Sequence, residues 1–336
     1  MDWKKQEEQL LELARETRRG ILPLIDLRSS GEIEGRGESG DVTYRIDSAA
    51  EEVLVRQTPE RFPGCALYTE EAGLRTFGPW HGRTIVADPV DGSRPTIGGL
   101  EASCVSLALA EGGERATFAD IASAALVEIR SGRAYAASRG HGARRLSAQG
   151  NAEPIALSAN TDLTRLFWSF ELCCRPVEPL ADVYAELING SSWKGGCFVW
   201  ASCSFSVARL LGGQIDAYID IWTRLARDFP ALGDLSRRLF GKIDGLMPYD
   251  MAAAHRIALE AGCSLSDEHG RPLDGRALLH SREEDLFGCV AASNAALHEK
   301  LLHGLERRIR ARSSILSGST LNSKEAPSCD ARSAAK

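Results

Sequence analysis

The sequence predicts an α/β (α+β) protein built as two halves that share an interface, and three observations carry that expectation. At 336 residues the chain exceeds the size at which single cores usually stop growing. Its first 150 residues pass from helical apolar spacing to consecutive strand runs joined by glycine turns, whereas strand and helix patterns alternate from about residue 154. A composition of 43% hydrophobic and 26% charged residues belongs to a chain able to bury a sizeable core.

Residues 2–27 carry Leu10, Leu11, Leu13, Ala14 and Ile21 at helical spacing and predict a first helix. "RSSGEIEGRGESGD" reads as a mobile, charged loop with glycines at 31, 35, 37 and 40, and "DVTYRIDSAAEEVLVRQTPERF" as a second helix. "CALYTEEAG" predicts a short strand with Glu70-Glu71 at its polar end, and "RTIVADPVDG" a strand ending at Asp88. "SCVSLALAEGG" and "ASAALVEIRSGRAYAASRGHGARR" predict further strands, completing an N-terminal half over residues 1–150.

In the C-terminal half, 151–310, "ASCSFSVARLLGGQIDAYIDI" predicts a helix, a glycine stop and a strand. "DMAAAHRIALEAGCSLSDEHGRPLDG" predicts a helix closed by Gly262 and a short strand. Residues 222–248 between them read as an inserted helical excursion. The serine-rich stretch 311–336 lacks apolar periodicity, which predicts disorder.

A net charge of −6 without a basic stripe argues against a nucleic-acid partner. No run approaches the roughly 18 apolar residues of a membrane span, and the amphipathic N-terminus lacks a signal-peptide core. Nine cysteines without a C-x-x-C pair read as reduced thiols, so a cytoplasmic address is expected. An acidic protein that handles an anionic substrate needs local positive charge, and metal ions are the obvious supplier.

The chemistry concentrates in "TIVADPVDGSRP", residues 84–95. Unpaired carboxylates at the mouth of a buried strand are costly to desolvate. Pro89 fixes its own backbone and keeps Asp88 extended, so Asp88, Asp91 and the Val90 carbonyl can face one pocket as oxygen donors for hard cations such as Mg²⁺. Gly92 and Ser93 then offer close backbone approach and free N–H groups to a phosphate. Taken alone, D-P-x-D-G-S reads equally well as a turn with Asx caps. Glu70 and Asp250, each at the end of an element, favour the metal reading. A phospho-aspartate phosphatase of the haloacid-dehalogenase type would place its aspartates two apart, whereas these are three apart with a proline between.

"YTEEAG", "IVADPVDGSRP" and "PYDMAAAHRIALEAG", preceded by "DVTYRID", resemble in order and spacing the signature segments of the inositol monophosphatase-like family, over about residues 5–295. The resemblance implies a five-layer αβαβα sandwich of the inositol monophosphatase/fructose-1,6-bisphosphatase type, lithium sensitivity and a homodimer. It implies one Mg²⁺ on Glu70, Asp88 and the Val90 carbonyl, a second on Asp88, Asp91 and Asp250, and a third near Glu70 and the 31–40 loop. It makes Asp47 and Ser93 the pair that orients the attacking water, alongside Glu70. The implied activity is hydrolysis of inositol monophosphate or a related small sugar or polyol phosphate. Fructose-1,6-bisphosphatase or nucleotide 3′-phosphatase activity, and a catalytically silent binding relative, stay open as alternatives.

The chain departs from the family pattern at Thr69, Tyr249 and Ala254, which replace glycine, tryptophan and glycine, and at Arg36, which stands in for the loop's usual lysine. Arg94 and Lys194 are candidate contacts to the substrate, although solvated surface charge explains Lys194 more simply. Glu71 reads equally as a ligand-shell acid or an arginine's partner. His255, among alanines on a helix, is expected to pack without a role.

Overall fold

The computed structural model describes residues 2–25, 27–37 and 40–319. Helix α1 (Trp3–Ile21) leads into a hairpin of β1 (Ile33–Arg36) and β2 (Val42–Tyr44), and α2 (Arg45–Arg61) follows directly. Strands β3 (Cys65–Thr69), β4 (Gly73–Thr76) and β5 (Arg83–Asp91) come next, then the short helix α3 (Ser93–Ile97). Strands β6 (Cys104–Glu111), β7 (Ile121–Glu128), β8 (Ala134–Ser138), β9 (Ala143–Leu146) and β10 (Ala152–Glu153) complete the first half. The second half runs β11 (Phe167–Phe170), α4 (Val177–Ser191), β12 (Gly196–Phe198), α5 (Cys203–Leu211), β13 (Ala217–Asp220), α6 (Trp222–Asp228), α7 (Pro230–Phe240), α8 (Pro248–Ala261), β14 (Ser264–Ser266), β15 (Cys289–Ala292) and α9 (Ala295–Ala311).

Eight strands form one sheet in the order β10-β9-β8-β7-β6-β5-β3-β4, and five form another in the order β12-β11-β13-β15-β14. Helices α1 and α2 cover the outer face of the large sheet, burying Leu10, Leu13, Ile46 and Leu54 against Ile85, Leu107 and Val127. Helices α5 and α8 lie between the sheets, where Val207, Leu210, Met251 and Ile257 meet Val86, Ala108, Leu126 and Tyr218. Helices α4 and α9 cover the small sheet's far face through Leu180, Tyr184, Leu297 and Leu301 against Trp168, Ile219 and Val290. This is the expected αβαβα layering. Strand β6 shows why its sequence is apolar without alternation, since Val105, Leu107 and Leu109 face one core while Cys104, Ala108 and Ala110 face the other.

Several boundaries differ from the sequence reading. The first helix stops at Ile21 rather than reaching 27, because Pro23 cannot continue the backbone ladder and the chain tightens into a 3₁₀ turn over Leu22–Leu24. Gly20 lies at the α1–α2 crossing, where a Cβ would meet Val53 Cγ2 at 2.7 Å. The stretch read as a mobile loop contains strand β1, and Val42–Tyr44, read as the start of the second helix, is its partner β2, the hairpin being closed by Gly37 N–H donating to the Asp41 carbonyl at 3.0 Å. The strand expected to end at Asp88 continues to Asp91.

The excursion forms α6 and α7 and adds Trp222, Leu225, Phe229 and Leu232 to the outer core. The C-terminal stretch expected to be disordered from residue 311 holds a π-helical turn over Ile315–Ser319, with Leu316 buried. An apolar side chain with a core to enter suffices to order that turn; the rest of the tail, 320–336, lies outside the described residues. Among the described residues no helix is long and apolar enough to cross a membrane.

His255, on α8, is packed edge-on against Phe118 with ring centroids 5.1 Å apart, and burial and the Arg256 charge push its pKa down to about 3. An unfolded chain takes up that proton below about pH 6.5 while the folded one stays neutral, so this contribution to stability is present above pH 6.5 and is lost as pH falls toward 3. Between pH 7 and 5 the loss amounts to about 2 kcal/mol. Urea unfolding at the two pH values is expected to show a smaller decrease for His255→Gln than for the parent by about that amount; equal decreases would refute the assignment.

Candidate active site

A bulge builds the centre of the site. In β5, Asp88 pairs with Ser106 and Asp91 with Cys104, so three steps along one strand match two along its partner. Residues three apart on a regular strand point to opposite faces, and the extra residue restores them to one side. Pro89 has no N–H to contribute to the ladder, which suits it to this position. Asp88 Oδ1 accepts the Val90 N–H at 3.0 Å, holding the turn from within.

The chain then turns at Gly92, with φ at 96° and a Cβ position 2.5 Å from the Ala102 carbonyl oxygen. Only glycine fits both constraints. Ser93 opens α3 and donates its hydroxyl to Asp47 Oδ1 at 2.7 Å, with the Val90 carbonyl 3.1 Å away. Asp47 lies in the first turn of α2, where Oδ2 accepts the Tyr44 N–H at 2.9 Å. Burial, partly offset by these two hydrogen bonds, pushes its pKa up to about 7.

Glu70 follows β3 and Asp250 sits in the first turn of α8, with Asp250 Oδ2 accepting the Met247 N–H at 2.7 Å. Asp91 Oδ2 accepts the Ser204 N–H at 2.5 Å from the first turn of α5. Glu70, Asp88, Val90, Asp91, Gly92, Ser93, Arg94, Asp47 and Asp250 thus line one cleft between the two halves. Desolvation first, and then neighbouring carboxylates, raise Glu70, Asp88 and Asp250 well above the ordinary carboxylate range; Asp91 is raised too, against its hydrogen bonds from the α5 turn. Four acids that raise one another's proton affinity in an oxygen-lined cleft are a donor set suited to hard divalent cations. Among the described residues no three His, Cys, Asp or Glu side chains are grouped closely enough to hold an ion.

Lys194 is the predicted site residue that the fold does not bring here. It lies exposed after α4, where its charge acts on Asp162. Arg36 donates to the Gly40 carbonyl at 2.8 Å within the exposed hairpin. Glu71 accepts the Thr43 hydroxyl, and among the described residues no arginine ion pair with it is present. The departures from the family pattern are absorbed by packing: Thr69 donates to Glu51 Oε1 at 2.9 Å, Tyr249 is buried against Tyr68, and Ala254 is buried.

The sequence reading missed Asp41, Glu171, Arg175, Ala201, Ser202, Cys203 and Asp244, which line the cleft and its extension. Ser202 does carry a signal, since it precedes an apolar helix pattern and caps α5 by accepting the Phe205 N–H at 3.2 Å. Asp244 precedes Gly245 in a turn pattern. Ala201 carries none, because nothing about alanine announces its φ of 53°.

Gly92→Ala is expected to unfold the turn or displace Ser93, and to lower the urea midpoint along with activity; an unchanged midpoint and parental turnover would contradict the close approach to Ala102.

The match of the chain to known proteins agrees with this architecture. Residues 6–310 match the model of the inositol monophosphatase family. A fructose-1,6-bisphosphatase/inositol-1-monophosphatase from Methanothermobacter thermautotrophicus is 25% identical over 303 residues, covering 88% of this chain and 94% of that protein. A histidinol-phosphatase from Streptomyces coelicolor is 28% identical over 273 residues, covering 78% and 83%. The solved structure of the extragenic suppressor protein suhB from Bartonella henselae superposes with a TM-score of 0.67 at 19% identity, over 89% of this chain and 98% of that one. With its sandwich, its acidic cleft and this match over nearly its whole length, the chain belongs to the inositol monophosphatase family and is a phosphoric monoester hydrolase.

Proposed function

We propose that the protein is a Mg²⁺-dependent phosphatase of a small monoester, inositol monophosphate or a related sugar or polyol phosphate, working as a cytoplasmic homodimer. The observation that carries this reading is the convergence of Glu70, Asp88, Asp91 and Asp250 on one cleft beside Gly92 and Ser93. The dual name of the Methanothermobacter relative supports the substrate class.

In this reading Glu70, Asp88 and the Val90 carbonyl would hold one ion, and Asp88, Asp91 and Asp250 would hold a second. Bound divalent ions would lower the pKa of a coordinated water and neutralise charge on the phosphate and the departing alkoxide. Gly92 and Ser93 receive phosphate oxygens at the start of α3. Because the Ser93 hydroxyl donates to Asp47, its lone pairs are left to accept a hydrogen bond from a water and aim that water's oxygen at phosphorus. Asp47 is held from the other side by the Tyr44 N–H, so its carboxyl fixes the direction of the serine proton. Arg94, at the mouth of the cleft, faces the phosphate's remaining charge.

Phosphate release from inositol 1-phosphate and a panel of sugar phosphates is expected to require Mg²⁺ and to disappear with a chelator. Asp88→Asn is expected to lower kcat by at least about a hundredfold while leaving the circular dichroism spectrum unchanged. Turnover by that variant at the parental rate would sink the ligand assignment. Ser93→Ala is expected to reduce kcat with little change in metal affinity measured by calorimetry, the signature of a group that orients the water; an equal loss in metal affinity would instead make Ser93 part of the ion site.

A further inference from the structure

Helix α5 lies across three strands of the large sheet, β5, β6 and β7. On those strands Asp91 pairs with Cys104 and Cys104 with Glu128, so Asp91 and Glu128 stand two strands apart in one row. Residues directly opposite one another point to the same face, and Cys104 faces the core that α5 helps to fill. A carboxylate therefore meets the helix near each of its ends.

At the first turn, Asp91 Oδ2 accepts the Ser204 N–H at 2.5 Å, and the Asp91 carbonyl accepts the Ser202 hydroxyl at 3.2 Å. At the last turn, the Arg209 guanidinium donates to Glu128 Oε1 and rests 4.5 Å from the centre of the Phe205 ring. From Ser204 to Arg209 the helix rises about 7.5 Å, and two strand spacings span about 9.5 Å; the length of the arginine side chain makes up the difference. Glu128 is 3% exposed and Arg209 8%. The carboxylate is held from its other side by the Ser131 hydroxyl at 2.5 Å and the Tyr135 hydroxyl at 3.2 Å.

Apolar packing does not set where this helix sits along its own axis. Phe205, Val207, Leu210 and Leu211 are buried, but the gain from burial has no direction, whereas a charged hydrogen bond fixes both distance and angle. A buried ion pair adds little stability over apolar side chains of like size, so its distinctive effect is geometric. We infer that Arg209 and Glu128 are positioning residues of the metal centre: their ion pair, acting through α5, keeps the Ser204 N–H on Asp91 and so fixes the orientation of that carboxylate in the cleft. The inference rests on the metal-dependent phosphatase reading and extends it to two residues outside the lining of the cleft.

The test measures Mg²⁺ binding to the full chain by calorimetry, alongside urea unfolding. Arg209→Met leaves Glu128 buried without its charged partner, and is expected to lower the urea midpoint and to weaken Mg²⁺ binding by about tenfold. Adding Glu128→Gln to Arg209→Met is expected to return the midpoint toward the parental value while binding stays about tenfold weaker. Arg209→Lys, which keeps a cation beside Glu128, is expected to recover most of the affinity. A double variant that regains parental affinity together with its stability would show the pair to be merely structural and overturn the inference, as would parental affinity in folded Arg209→Met. Should neither of these variants fold, Glu128→Gln alone decides, because it keeps a hydrogen bond and loses only the charge: Mg²⁺ binding about threefold weaker supports the inference, and parental binding overturns it. Each of these failures leaves the metal-dependent reading standing. A parent that takes up no Mg²⁺ overturns that reading, and the inference falls with it.

Discussion

Mutual repulsion among desolvated carboxylates is the constraint around which this molecule is organised. Glu70, Asp88, Asp91 and Asp250 are drawn into one cleft, where burial raises all four pKa values and neighbouring carboxylates raise those of Glu70, Asp88 and Asp250 further. Left uncompensated, such a cluster opposes folding. Backbone N–H groups of Val90, Ser204 and Met247 hold three of the acids, but no hydrogen bond of this kind supplies a full positive charge. A divalent cation placed among these oxygens would relieve that repulsion.

Holding like charges together requires rigid supports, and the three cores provide them. The central core packs α5 and α8 between both sheets, so Asp250 and the Ser204 N–H are anchored on helices that cannot drift from the large sheet. The core between α1, α2 and the large sheet fixes Asp47, and through it the hydroxyl of Ser93. The bulge in β5 is the local device: one additional residue brings Asp88 and Asp91 to the same side of the strand. Ala201, held at φ 53° beside these acids, is a second place where backbone conformation departs from what its side chain favours.

The side of the cleft away from the phosphate seat is more particular to this chain. The excursion packs its apolar face into the outer core through Trp222, Leu225 and Leu232 and returns Lys242 and Asp244 toward the cleft. Lys242 ties the β1–β2 hairpin to the second half through Asp41, while Asp244 takes a share of Arg175.

Much of this was legible in the linear chain. Helical spacing from Leu10 to Ile21, the apolar runs of β5 to β8 and the glycine stops at 212 and 262 reflect local backbone preferences and burial periodicity, which neighbouring residues express without knowledge of the fold. The order of the acidic segments made Glu70, Asp88, Asp91 and Asp250 candidates before any coordinates, since element ends and a proline between two aspartates are local features. The tertiary structure alone decided that Glu171, Arg175 and Asp244 share a wall, that Lys194 stands elsewhere, and that the excursion joins a core rather than a surface. Those outcomes depend on distances between residues tens of positions apart, and such distances are set by how helices and sheets pack, which no short stretch of sequence encodes.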